Sequence, residues 1–324
     1  MRFDLRNPEL AGTSMADRYD AALEMCAWAE HHGFVGVVLS EHHGSDDGYL
    51  PSALTFAAAV AARTTSLRII IAAVVASLHD PLLLAEQVAV VDNLSRGRVN
   101  LVIANGYAPH EFAMFDAPLD KRVARVKELV ATLRGAATGQ PFAFRGRQVQ
   151  VTPGPYKRGA KLVLGGSSDA AGKRAAELDL GFMPTTEGPW EAYRSAMLEH
   201  GRKDPGGWLG GTTGFLHLAE DVEEGWAAIG PHAMHESNAY GAWVQAAGLG
   251  ASAVYRPFDD VSELRASGQY EVVTPGELVA RLKDAGPWAT VGLHPMMGGI
   301  PPAEAWKSLH LLADQVLPHL AASE

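Results

Sequence analysis

The sequence predicts an α/β chain closed as a (β/α)8 TIM barrel with insertions in its βα loops, and three observations predict it. Short apolar, β-branched runs alternate with longer segments of helical period, the pattern of parallel strands joined by crossover helices. Eight such units can be drawn, and 324 residues that are 47% apolar suffice to bury one large core. The GxGxxG phosphate fingerprint of an open doubly wound sheet is missing after the first strand, which favours closure into a barrel.

The eight expected strands lie near Arg2 to Arg6, Val35 to Leu39, Leu67 to Val74, Val99 to Ile103, Leu162 to Gly165, Leu180 to Met183, Thr212 to Leu218 and Ala289 to Leu293. Between them, Ala16 to His32 and Pro81 to Leu94 carry apolar residues at helical spacing and read as outer helices. Asp120 is placed to cap a helix from Lys121 to Thr138, and Pro302 to open the last one, whose final turn Pro318 should disturb. Two stretches exceed a minimal barrel: Gly139 to Lys161, and Glu236 to Tyr270, which mixes aromatics with Gly and Ser. Long insertions of this kind shape or cover a site, so residues 236–270 are expected to form a lid or substrate-side excursion within one domain spanning 1–324.

Composition narrows the partners. A net charge of −10 without a Lys/Arg-rich run argues against nucleic acid and anionic membrane, and for a small molecule. Cys26 is the only cysteine and sits in an apolar helical stretch, so a structural thiol in a reducing cytoplasm is the expected reading. Neither a secretory leader nor a membrane-spanning run is recognisable.

Three segments carry chemistry. Glu41, His42 and His43 follow the second strand, at the face where barrel active sites gather. Imidazole titrates near neutrality and can donate to or accept from a reacting oxygen; equally, such histidines can bond to backbone and hold a loop. No HxxxH or HExxH spacing occurs, and neighbouring side chains on an extended chain point apart, so no metal is expected. In VLGGSSDAAGKRAAE, Gly165 and Gly166 end a strand and Ser167 and Ser168 open a helix, which reads either as a phosphate seat built from amides, hydroxyls and the helix dipole or as an ordinary capped connection. At the end of the fourth strand, Gly106 permits close approach of a planar ring and Asn105 offers it hydrogen bonds, whereas Tyr107 and Phe112 read as packing.

In order and spacing, GFVGVVLSEHH, TTSLRIIIAAVV, HDPLLLAEQVAVVDNLSRGRVNLVIANG, HEFAMFD, LVLGGSSDAAGKRAAE and HPMMGGIPPAEAWKSLHLLADQVLP resemble the bacterial-luciferase-like family of flavin-dependent monooxygenases, including its deazaflavin-dependent relatives. The likeness spans nearly the whole chain. It implies a catalytic role for His42 beside the flavin, with His43 and Glu41 near it, a non-prolyl cis peptide between Ala72 and Ala73 behind the ring, and a phosphate-binding turn at Gly166, Ser167 and Ser168. It also implies oxygenation of an organic substrate with O2 and a homodimer, and because no NAD-binding fingerprint is visible for regenerating it in place, reduced FMN is expected from a separate flavin reductase. The alternatives are hydride transfer with the deazaflavin coenzyme F-420, and a non-catalytic flavin-binding barrel.

The sequence departs from the luciferases themselves at Ala104 and Asn105, where they have a cysteine near the ring and an arginine on the phosphate. Lys173, Arg174 or Arg98 would have to compensate. The longer anionic tail of F-420 wants further basic residues, for which Lys157, Arg158 and Lys161 are the candidates.

Overall fold

A computed structural model describes residues 1–208, 215–249, 255–286 and 290–320. In chain order its strands are β1 (Arg2–Phe3), β2 (Gly36–Leu39), β3 (Arg68–Val75), β4 (Val99–Ala104), β5 (Phe142–Phe144), β6 (Arg147–Val149), β7 (Lys161–Gly166), β8 (Gly181–Pro184), β9 (Phe215–Leu218) and β10 (Tyr270–Val273). The helices are α1 (Met15–His31), α2 (Ala53–Arg63), α3 (Pro81–Ser95), α4 (Pro109–Met114), α5 (Arg122–Ala137), α6 (Asp169–Glu177), α7 (Glu187–Glu199), α8 (Val222–Ala246), α9 (Val261–Ala266), α10 (Pro275–Ala285), α11 (Pro302–Leu311) and α12 (Leu317–Leu320). Phe34–Gly44 with Leu50–Gly211 make one compact unit; Met1–Gly33, Ser45–Tyr49 and Thr212–Glu324 make the other.

In the first of these units β2, β3, β4, β7 and β8 lie side by side, all parallel. Alternate residues of these strands form one fully enclosed face, with Ile69, Ile71, Leu101 and Ile103 all inaccessible. The register of β3 against β4 slips between Ala72 and Val74, a bulge at Ala73 after which pairing resumes with Val74 opposite Ile103 and Val75 opposite Ala104. Asp80 caps α3 by accepting from the amides of Leu82 and Leu83, with Pro81 in the first turn. Asp120 does not cap α5, which begins only at Arg122 after a short 3-10 turn over Leu119–Lys121. The stretch from Gly139 contains the hairpin β5–β6, turned by Arg145 and Gly146, both at positive φ as a two-residue hairpin loop requires.

In the second unit, Arg2 donates its amide to Leu293, Leu293 bridges Leu216 of β9, and β9 pairs in parallel with β10. Strand β10 lies outside the eight runs read from the sequence, and Glu236 to Ala246 forms the last turns of α8 rather than a loop. The predicted strands at Thr212 to Leu218 and Ala289 to Leu293 fall partly outside the described residues. Capping boxes at Ser14/Asp17 and Thr274/Glu277 start α1 and α10. Pro302 opens α11 as expected, and a π-helical turn over Leu312–Val316 precedes Pro318, which has no amide proton for the carbonyl one turn back. Cys26 is fully buried, and burial pushes its thiol up to about 12, in keeping with a structural role.

Candidate active site

The expected site residues of the first unit collect on one edge of one parallel sheet, because parallel strands present their C-terminal ends together. Glu41 to His43 follow β2, Ala72 and Ala73 lie at the bulge of β3, Asn105 and Gly106 follow β4, and Gly165 to Ser168 lead from β7 into α6. The Ala72–Ala73 peptide is cis, as the resemblance implies.

His42 and His43 are held by Glu111, the third residue of α4. The Nδ1 of His42 lies 2.8 Å from Glu111 Oε1, and the main-chain N–H of His43 donates to the same oxygen at 2.8 Å. Glu111 is fully buried, and its other oxygen, Oε2, has no hydrogen-bond partner among the described residues. A carboxylate at Nδ1 accepts a hydrogen bond from the Nδ1–H and leaves the lone pair on Nε2, which suits that atom to accept or pass on a proton. The ring of Tyr107 meets that of His42 edge to face, with centroids 5.8 Å apart.

Glu41 gathers three donors on Oε1: His79 Nε2 at 2.8 Å, His43 Nε2 at 3.2 Å and the Val75 amide at 3.2 Å. Burial alone would raise its carboxyl, but the hydrogen bonds and charges of His43 and His79 outweigh it and hold the group down at about 2. Glu41 is thereby a stationary anion that ties the β2 loop to the end of β3. The sequence singled out Glu41, His42 and His43; it gave no role to His79.

The turn at Gly166 exposes Ser167 and Ser168. Ser168 caps α6, its side chain accepting from the Ala171 amide, while the first amides of a helix have no carbonyl one turn back to bond to. Amides, the Ser167 hydroxyl and the helix dipole make a donor set that fits a phosphate. The glycines also have packing reasons. A Cβ on Gly166 would run into that of Ala171, and one on Gly165 would come within 2.9 Å of Val102 Cγ1. Gly106 has φ +77°, and a Cβ there would sit 2.6 Å from Val75 Cγ1 and 3.0 Å from Phe112 Cε2. Phe112 packs with Val75 and Leu78, as expected of a core residue, and Asn105 accepts from Ser77 Oγ at its main-chain oxygen.

The basic residues offered as compensation divide. Arg98 is committed elsewhere: Nε donates to Ser95 O, Nη1 to Thr64 Oγ1 and Leu67 O, and Nη2 to Ala61 O and Thr64 O. It stitches loops together and has no donor left for a phosphate. Lys173 and Arg174 lie on α6, behind the turn. Lys161 opens β7, so at about 3.3 Å per residue it stands roughly 16 Å from Gly166, and Lys157 and Arg158 precede it at that same far edge.

The second unit holds its own buried polar group. Asp4 pairs with Arg6 at 3.2 Å and Arg6 with Asp47 at 2.7 Å, and the Arg6 guanidinium lies 4.6–4.9 Å from the ring centroids of Tyr49, Tyr240 and Trp243. His294 turns Nε2 to Asp4 Oδ1 at 3.4 Å and Nδ1 to Glu236 Oε1 at 3.8 Å. Gly298 and Gly299 are packed against their own unit: a Cβ would meet the His232 main-chain oxygen in one case and Pro8 Cδ at 2.5 Å in the other.

Solved structures share this fold. The monooxygenase RslO1 of Streptomyces bottropensis superposes with a TM-score of 0.74 at 24% identity, covering 99% of this chain and 98% of that one. The oxygenating constituent of 3,6-diketocamphane monooxygenase of Pseudomonas putida, solved with FMN, gives 0.72 at 18% identity over 98% and 97%. The fold class is therefore that of the α/β TIM barrels. The family model for luciferase-like monooxygenase matches residues 3–292, and the chain belongs to that family. Among curated relatives, the FMNH(2)-dependent dimethylsulfone monooxygenase of Pseudomonas fluorescens is 32% identical over 133 residues, 39% of this chain and 36% of that protein. The chain thus spans well under half the length of the first curated relatives it matches. Among the described residues no helix is long and apolar enough to cross a membrane.

Proposed function

We propose that the chain is a flavin-dependent monooxygenase that takes reduced FMN from a separate reductase and uses O2 to oxygenate a small organic substrate. The observation that carries this reading is the shared sheet edge, where the His42–Glu111 pair stands at the end of β2 and a phosphate-fitting turn at the end of β7. The relative named for its use of FMNH2 and the neighbour solved with FMN support the choice of cofactor.

In this reading Ser167, Ser168 and the first amides of α6 hold the phosphate, and the Ala72–Ala73 bulge backs a flat ring at the same sheet edge, beside Asn105 and Gly106. Reduced FMN supplies the electrons that activate O2. His42, its Nδ1 fixed by Glu111, accepts or delivers a proton through Nε2, while Glu41 keeps the His43 ring in place. Hydride transfer with F-420 is the second reading, and the placement of Lys157, Arg158 and Lys161 at the opposite edge of the sheet counts against it. A homodimer and a cytoplasmic location belong to the same proposal.

Anaerobic titration with reduced FMN and, separately, reduced F-420 tests the reading, followed by oxygen-electrode measurement of the bound form. Tighter binding of FMN and oxygen uptake are expected; preference for F-420 without oxygen uptake would replace this reading by the second.

A further inference from the structure

We infer that Glu41, His43 and His79 form a binding site for one first-row divalent cation of the zinc class, bridging the loops that follow β2 and β3. The three side chains come from positions 38 residues apart at their widest, yet the ligand atoms of all three lie within 4.8 Å of one another. Both histidines present the same kind of atom, Nε2, to one carboxylate oxygen, at 3.2 and 2.8 Å. Ligands about 2.0–2.2 Å from a common ion and set at 90–110° stand roughly 3 Å from each other, so these separations match two edges of a coordination face. Two imidazoles and one carboxylate leave further positions of the ion open, the arrangement of a two-histidine, one-carboxylate centre.

The surroundings support the same assignment. The Val75 amide steadies the carboxylate at 3.2 Å, the Phe115 ring packs edge-on against His43 with centroids 4.8 Å apart, and the His43 main chain is anchored to Glu111. Outer contacts of this kind fix the orientation of metal ligands. A carboxylate and two imidazole nitrogens are donors that suit a dication, and the His79 side chain, 23% exposed, gives it a way in. The other cluster of this composition, Asp4, Glu236 and His294, does not qualify: His294 offers opposite ring nitrogens to its two carboxylates, which a single ion cannot use together, and Arg6 already pairs with Asp4.

The test is titration of the chelator-treated, flavin-free full chain with Co2+, following ligand-field absorption and melting temperature; it is independent of flavin binding, so its outcome leaves the proposed function untouched. One equivalent bound, with visible absorption and a raised melting temperature, is expected. His79→Ala should weaken binding by more than the roughly 10–100-fold that a lost outer contact costs, and Glu41→Gln, which keeps the shape and loses the charge, should weaken it too. His31→Ala, at an exposed position in the last turn of α1, should bind as wild type does. Absence of absorption and of any thermal shift at saturating Co2+, or binding that survives both His79→Ala and Glu41→Gln, would overturn the site.

Discussion

His42 and Glu111 are joined by a 2.8 Å contact across 69 positions of sequence, and the carboxylate that holds the imidazole is itself completely buried. A charge in that position fixes both the tilt and the tautomer of the ring. Glu111→Gln preserves the shape but removes the charge. The expected result is a roughly 10–100-fold slower oxygen-dependent turnover of bound reduced flavin with flavin affinity little changed, and partial recovery in Glu111→Asp. Stopped-flow reoxidation across a pH series, beside equilibrium titration, separates this from a general loss of structure, which would lower both.

Gly106 has little freedom to change. Any side chain there must adopt φ near +77° and meet Val75 and Phe112. Gly106→Ala should cost about 1–3 kcal/mol, as overpacking with backbone strain does, read as a lowered urea midpoint. Gly146→Ala serves as the comparison, because its Cβ would meet nothing within 4 Å and only the positive φ is strained.

His217 is buried in β9, with Nε2 lacking a hydrogen-bond partner and Glu304 Oε1 3.8 Å away. Burial lowers its pKa from 6.5 to about 4, against the weaker pull of Glu304. A lowered folded value means that the unfolded chain takes up the proton first, so stability is lost as pH falls from about 6.5 to about 4. This group's share is of the order of 3 kcal/mol. Urea unfolding of His217→Met should show the variant gaining on wild type over that window; a difference that stays flat with pH would count against the buried neutral imidazole.

Glu236 behaves in the opposite sense. Burial first, then the charge of Asp4, raise it from 4.5 to about 8, with Arg2 and Arg6 opposing. Its contribution to stability is therefore complete below about 4.5 and lost as pH rises to about 8. Glu236→Gln, neutral throughout, should gain in unfolding free energy relative to wild type across that range and then stay level; thermal melts at a series of pH values show whether it does.

Much of this was legible in the residues because it is local. A β-branched run followed by Glu-His-His, and a strand ending in Gly-Gly before a Ser cap, place those side chains at strand ends whatever the rest of the chain does. The partnerships were not legible, because His42 with Glu111 and Glu41 with His79 arise from convergence of separate βα loops, which spacing does not encode. Arg98 looked available as a charge; only its geometry shows five donors already spent on oxygens of Ala61, Thr64, Leu67 and Ser95. Strand β10 escaped because Tyr-Glu-Val-Val is only four residues long, while aromatics mixed with Gly and Ser made the last turns of α8, from Glu236, read as part of an insertion.

The central claim, that flavin phosphate sits at the Gly166–Ser168 turn, is tested most directly by anaerobic fluorescence titration of wild type and Ser167→Asp with reduced FMN. Ser167 is exposed, so the fold should tolerate the change, and a carboxylate placed there would repel the phosphate. The predicted result is at least a tenfold loss of affinity, about 1.4 kcal/mol or more, with reduced riboflavin, which has no phosphate, bound equally by both proteins. Equal binding of reduced FMN by wild type and Ser167→Asp would contradict the account.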